Sequence, residues 1–268
     1  QWKMKRMTSW ICEKMLIIGL DEAGRGPLLG PLTLGAAVIP KTDLQILIDE
    51  GVKDSKKLSE KRRNEILASL ENYEREYGWL LCTSCIEPEE IDYGMQIGTL
   101  NQVEINGFAD LIIDIKNRLS RRKQLEGTTV QIQVDAADVK EDRFGRDIVA
   151  RLPGWPWKGW SIISKHKADE KYPAVGAASI IAKVTRDLKI KKLCIETEME
   201  LGSGYPSDSK TRNILQSLLM GEEPHYCLRW GWKSVKDAWS KHHDAPVPLR
   251  AKPKNWELFS GQTSLSEF

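Results

Sequence analysis

The sequence predicts an α/β fold in which helices flank a mixed sheet of five strands and a helical extension follows at the C-terminal end. Three observations carry this. Short apolar runs at 16–18, 32–39 and 130–134 are bounded by glycine, proline or charge, as buried strands are. Stretches of helical period stand between them, one carrying Ile66, Leu67 and Leu70, another Val103, Ile105, Phe108, Leu111, Ile112 and Ile115. Two of the apolar runs end on carboxylates, Asp21 and Asp135, and in a mostly parallel sheet strand ends converge on one edge, where sites form.

Taken in order, residues 1–13 read as a short leader with little pattern. A first strand at 15–21 and a second at 32–39 are separated by Gly24-Arg25-Gly26-Pro27, a turn that continues neither. Residues 41–51 alternate apolar and acidic positions and fit a short helix. Ser59, with Arg62 and Arg63, opens an amphipathic helix. Around it Lys53, Lys56, Lys57 and Lys61 outnumber Asp54 and Glu60, which fits either a solvated basic helix start or a set of phosphate contacts. A third strand fits 79–86, and Pro88-Glu89-Glu90 opens a helical turn. The long helix at 100–119 ends among Lys116, Arg118, Arg121, Arg122 and Lys123, cations that complement the helix dipole. A fourth strand at 130–134, a helix at 138–152, a Pro/Trp-rich connection at 152–160 and a fifth strand at 160–164 follow. Residues 177–199 form a long helix whose first turns are small, with Lys183 and Arg186 available as groove contacts or as partners for a carboxylate. A helix that starts at Ser209 and continues over 213–220, and a Trp-rich helical cap at 226–239, come next. From Ser240, proline, lysine and alanine mark a flexible tail. The domain plan is therefore a main α/β domain at 14–200, a helical extension at 201–239 and a tail at 240–268.

The 268 residues suffice for one large domain, or a domain with an appendix, and 41% hydrophobic content supplies a core. A net charge of +2 does not by itself point to nucleic acid; the distribution of charge must decide. No apolar run approaches the ~20 residues of a membrane helix. The N-terminus lacks the apolar core of a signal peptide. Five scattered cysteines fit a reducing compartment, and Cys82 and Cys85 have no second Cys or His pair at zinc spacing.

Residues 19–31, GLDEAGRGPLLGP, resemble the opening signature of type-2 ribonuclease H, the ribonuclease HII family. Residues 166–187, HKADEKYPAVGAASIIAKVTRD, resemble its second hallmark, and 202–211, GSGYPSDSKT, its third, with Ser209 where proline is usual. The DSKKLS segment at 54–59 is similar to one beside the family's substrate groove. The resemblance covers roughly 15–235 in the right order. It implies a ribonuclease H-like fold. It also implies an endonuclease that hydrolyses the RNA strand of RNA/DNA hybrids and cuts 5′ of ribonucleotides in duplex DNA, for ribonucleotide and RNA-primer removal.

The family's four active-site carboxylates match Asp21, Glu22, Asp135 and Asp169. Neighbours in a strand point to opposite faces, so Asp21 and Glu22 share a site only if the pleat breaks, which the following glycines permit. Oxygen-only ligands suit Mg²⁺ or Mn²⁺, and two such ions about 4 Å apart can clamp a phosphodiester, leaving 3′-hydroxyl and 5′-phosphate ends. The resemblance implies that Asp21 bridges both ions, that Glu22 and Asp135 complete the spheres, and that Asp169 serves the ion that activates water. It also implies that Gly24, Arg25 and Gly26 read the ribose 2′-hydroxyl, helped by Tyr205, with Lys56 and Lys183 as further substrate contacts.

The chain ends with Gln262, Leu265 and Phe268 at the Gln-x-x-Leu-x-x-Phe spacing of a sliding-clamp-binding peptide, which docks one helical turn into a groove. The usual second aromatic is missing, which predicts weaker binding. The Trp-rich C-terminal part looks archaeal or eukaryotic, and the clamp peptide on the same chain favours a form that acts alone, as a monomer. The expected location is the cytoplasm, at the nucleoid in a prokaryote, or the nucleus in a eukaryote. Two other classes remain open. One is another nuclease of the same fold, such as an exonuclease, which would begin with Asp-x-Glu on one strand face. The other is a non-catalytic nucleic-acid-binding module, which would be expected to have lost an acid.

Overall fold

A computed structural model of the chain describes residues 14–52, 57–254 and 256. Its five-stranded sheet comprises β1 (Lys14–Ala23), β2 (Leu32–Pro40), β3 (Leu80–Ile86), β4 (Thr128–Asp135) and β5 (Trp160–Lys165), in the order β3-β2-β1-β4-β5. β1 pairs with β4, and β4 with β5, both in parallel. Parallel neighbours need crossovers, and helices supply them. Before β3 come α1 (Leu44–Asp49) and α2 (Glu60–Tyr77); between β3 and β4 come α3 (Pro88–Ile97) and α4 (Leu100–Arg121). α5 (Glu141–Val149) links β4 to β5, and α6 (Ala168–Lys171), α7 (Pro173–Thr197), α8 (Ser209–Leu215) and α9 (Lys233–Trp239) follow. No helix among the described residues is long and apolar enough to cross a membrane.

Local chemistry explains most boundaries. Ser59 caps α2, its hydroxyl accepting from the Arg62 N–H at 3.2 Å, and Gly78 ends that helix at φ 73°. All six apolar residues read from the period of α4 are buried. Each such burial contributes about 1.5–3 kcal/mol against leaving the side chain in water.

Several boundaries differ from expectation. β1 runs on through Glu22 to Ala23, two residues past the expected end. α5 starts at Glu141 because Asp138 accepts from the Lys140 N–H at 3.1 Å and pairs with Arg143, which holds the lead-in out of the helix. α7 begins at Pro173, four residues earlier than read, proline being well suited to a first helical position. α8 starts at Ser209 as expected, capped by Asp208, which accepts from the Lys210 N–H at 2.9 Å, but it stops at Leu215, short of the expected Met220. Only Lys233–Trp239 of the expected 226–239 cap is helical.

The chain divides into two compact units. The first comprises Gln1–Asp21, Gly35–Cys82 and Leu111–Ile181, the second Glu22–Leu34, Thr83–Asp110 and Ala182–Phe268. In the first, Ile17, Ile18 and Leu20 of β1, Ile132 and Val134 of β4, and Phe144 and Ile148 of α5 are buried. In the second, Leu28, Leu29, Ile190, Leu201, Leu228 and Trp239 belong to one apolar cluster. The stretch after Ser240, read from composition as a flexible tail, is tied down as far as Trp256. Arg250 donates to the carbonyls of Tyr226 and Leu228, both at 2.9 Å, and Trp256 packs edge-on against Tyr93. Arg250 also pairs with the buried carboxylate of Asp92, which accepts the Trp230 and Gly231 N–H groups.

Candidate active site

The parallel register decides where the first unit's acids fall. Leu20 of β1 stands opposite Val134 of β4, so Asp21 and Asp135 are the next residues along neighbouring strands running the same way. Asp135 in turn stands opposite Lys165, the last residue of β5. Four residues further, on α6, is Asp169. One carboxylate oxygen from each of Asp21, Asp135 and Asp169 lies within 4.8 Å of the others. Asp21 and Asp169 are buried and Asp135 is half-buried.

The turn that presents Asp169 is built by hydrogen bonds. Asp135 accepts from the Ala168 N–H at 3.1 Å, which ties the end of β4 to the start of α6. The Ala136 N–H donates to the Lys165 carbonyl at 3.0 Å, and the His166 N–H to Glu141 at 2.7 Å. That bond and the Lys165 ammonium hold the Glu141 carboxyl below its ordinary range. Lys167 takes the left-handed conformation at φ 54°, turning the chain into α6. At Gly19, two residues before Asp21, any Cβ would collide with the Ala174 carbonyl and the Val175 nitrogen in the first turn of α7. Glycine therefore lets strand and helix approach closely beside the cluster.

Ligand oxygens sharing one cation at 2.0–2.6 Å stand no more than about 5 Å apart, and all-oxygen donor sets select hard divalent ions. The spacing and donor type of the three aspartates fit such an ion. Glu22, the next residue on β1, is half-buried and is not one of the three.

The second unit holds the glycine turn. Gly24 has φ +89°, and a Cβ there would meet the Arg186 side chain and the Pro31 carbonyl, so only glycine fits. The Arg25 side chain is not directed at open solvent; it pairs with Glu104, which is fully buried, and with Asn101, both on α4. Gly26 faces Tyr205, a Cβ at Gly26 lying 3.7 Å from the ring. Tyr205 is 40% exposed, and the Arg186 guanidinium stands over its ring at 5.4 Å. Arg186 also donates to the Ser203 carbonyl at 2.8 Å, and Leu28 N–H to the Gly204 carbonyl at 2.8 Å. Beneath the turn lies a residue that sequence reasoning missed. Arg229 is fully buried and donates to the carbonyls of Gly24 at 2.6 Å, Arg25 at 3.1 Å and Gly30 at 3.0 Å. Burial, with Arg186 adding repulsion, pushes its guanidinium down to about 9.

The sequence model of the family described as Ribonuclease HII matches residues 18–235. The chain belongs to the ribonuclease HII family. A ribonuclease HII of Thermococcus onnurineus is 40% identical over 260 residues, which is 95% of this chain and 99% of that one. Among solved structures, the ribonuclease H2 of Pyrococcus horikoshii is 35% identical with a TM-score of 0.67, covering 85% of this chain and 98% of that one. The ribonuclease HII in a PCNA:RNase HII complex from Archaeoglobus fulgidus is 33% identical with a TM-score of 0.67, covering 81% and 95%. Membership makes the chain a type-2 ribonuclease H, an endonuclease class.

Of the remaining residues singled out in this ribonuclease HII sequence, Lys183 is half-buried on α7. Lys56, Gln262, Leu265 and Phe268 lie outside the described residues. The cysteines of the described residues, Cys82, Cys85, Cys194 and Cys227, are free thiols.

Proposed function

We propose that this protein cuts on the 5′ side of ribonucleotides embedded in duplex DNA and hydrolyses the RNA strand of RNA/DNA hybrids, leaving 3′-hydroxyl and 5′-phosphate ends. The role would be removal of misincorporated ribonucleotides and RNA primers. The observation that supports it is the cluster of Asp21, Asp135 and Asp169 at the ends of parallel strands in a ribonuclease HII chain.

Asp21, Asp135 and Asp169, with Glu22, would hold the divalent ions, Mg²⁺ or Mn²⁺. Bound there, two ions supply an activated water and neutralise charge on the leaving 3′-oxygen. The protein's own part is positional. By the family resemblance, Asp21 would serve both ions and Asp169 the ion that activates water. Gly24, Arg25 and Gly26, three to five residues along the chain from Asp21, read the 2′-hydroxyl that separates RNA from DNA. Because the Arg25 side chain is engaged with α4, that reading falls to the backbone. Tyr205 offers an exposed ring to the neighbouring sugar. Lys56 and Lys183 would contact phosphates, which adds affinity without sequence preference.

The deciding assay compares end-labelled duplexes carrying one ribonucleotide, a full RNA strand, or DNA alone, with Mg²⁺, Mn²⁺ or a chelator. Cleavage of the first two and not the third, lost with chelator, is the expected pattern. Digestion of all-DNA ends would mark an exonuclease, and no cleavage at all a binding module. For the tail, we propose that Gln262, Leu265 and Phe268 dock on a sliding clamp, as the PCNA complex of the Archaeoglobus relative makes reasonable. Deleting 262–268 should abolish co-elution with the clamp and leave basal cleavage unchanged; retained co-elution would refute this.

A further inference from the structure

Arg229 lies 204 residues from Arg25 along the chain. A buried guanidinium is costly unless its donors are satisfied. Here the hydrogen bonds of the side chain run to three main-chain carbonyls, those of Gly24, Arg25 and Gly30. The ring of Trp232 lies against it at 4.8 Å. Its own backbone is locked to the same stretch: Arg229 N–H donates to the Leu28 carbonyl at 2.8 Å, and Gly30 N–H to the Cys227 carbonyl at 2.9 Å. The fork thus grips two successive peptide groups of the glycine turn from beneath, a geometry that a planar, five-donor group can provide and a lysine ammonium cannot.

That grip has a directional consequence. In a planar trans peptide the N–H points opposite to the C=O. With the carbonyls of Gly24 and Arg25 drawn towards Arg229, the amides of Arg25 and Gly26 are turned the other way. We propose that Arg229 is a positioning residue for ribose recognition, setting the peptide planes of the Gly24–Gly26 turn so that their amides face the sugar. This rests on the reading of that turn as the ribose sensor. Arg229 touches neither metal nor substrate and acts only through the backbone it holds.

The test uses the full chain with Arg229→Lys and Arg229→Gln, scored for kcat and KM on the single-ribonucleotide duplex. The companion substrate carries 2′-fluoro in place of the 2′-hydroxyl. Thermal unfolding and Mn²⁺ affinity are measured alongside. The expected result is a fall in kcat of roughly 10- to 100-fold on the ribonucleotide duplex, with KM and Mn²⁺ affinity held within about two-fold. The wild type's preference for 2′-hydroxyl over 2′-fluoro should shrink in parallel, more in Gln than in Lys. A folded variant that keeps wild-type kcat and preference overturns the proposal, as does an equal loss on both substrates. Should both variants fail to fold, amide exchange in the wild type decides. A ribonucleotide duplex must slow exchange at Arg25 and Gly26 beyond what an all-DNA duplex does, and equal protection overturns the proposal. A wild type indifferent to the 2′-hydroxyl would instead overturn the ribose-sensor reading itself.

Discussion

Gly19→Ala is the most direct test of what holds the aspartate cluster together. The added Cβ would fall on the carbonyl of Ala174 and the nitrogen of Val175, far inside the 3.0 Å that real Cβ atoms keep. These are backbone atoms in the first turn of α7, so no side chain can swing away. Overpacking against yielding neighbours costs about 1–3 kcal/mol, and a rigid backbone puts this site at the upper end. At roughly 2–4 °C per kcal/mol for a chain of this size, the unfolding temperature should drop by roughly 5–10 °C. The alternative to unfolding is that β1 and α7 part by roughly 1 Å, a scale at which misplaced catalytic groups lose about 10²-fold in rate. Asp21 stands two residues after Gly19, and Asp169 lies on α6, immediately before α7, so the parting opens the cluster. Single-turnover cleavage of a one-ribonucleotide duplex and thermal scans with and without Mn²⁺ measure both effects. The control is Gly51→Ala, where φ is +74° and nothing lies within 4 Å of the new Cβ. Its cost should be left-handed strain alone, about 1–2 kcal/mol, with cleavage untouched. A Gly19→Ala protein that melts and cuts like wild type would refute the argument that this close approach sets the cluster.

Asp135→Asn should fold normally, because the amide oxygen can still accept from the Ala168 N–H. It should lose the thermal stabilisation by Mn²⁺ and roughly 10²–10³-fold in cleavage; an unchanged Mn²⁺ response would remove Asp135 from the ligand set. Tyr205→Ala removes a half-exposed ring, so unfolding should shift little while cleavage at a single ribonucleotide falls; equal cleavage would end its assignment. The Asp208 carboxyl is held down to about 2 by the Ser203 hydroxyl and N–H and by the Lys210 N–H. Its folded pKa lies below the unfolded one, so its stabilisation is present above about pH 4 and is lost as pH falls through about 2. In thermal scans across that window Asp208→Asn should flatten the acid limb, and an acid limb as steep as wild type would show that Asp208 does not contribute.

Much of the fold was legible because the evidence for it is local. Two apolar runs that stop on Asp21 and Asp135 need only the strand pattern to be seen, and Ser59 as a cap needs only its own neighbours. The early start of α7 at Pro173 was also within reach, since proline favours a first helical position. The surroundings of Asp21 show the limit. A strand pattern does not say which distant acids meet it; Asp135 and Asp169, more than a hundred residues along the chain, each bring a carboxylate oxygen within 4.8 Å of it.

Strand and helix order, the acids at strand ends and the glycine turn follow from local sequence, because hydrophobic period and turn chemistry act over a few residues. It took the folded chain to turn Arg25 to Glu104, to set Arg229 beneath the turn, and to fasten the stretch after Ser240 through Arg250 and Trp256. Periodicity records which face of an element is buried; it carries no record of which distant residue meets it there.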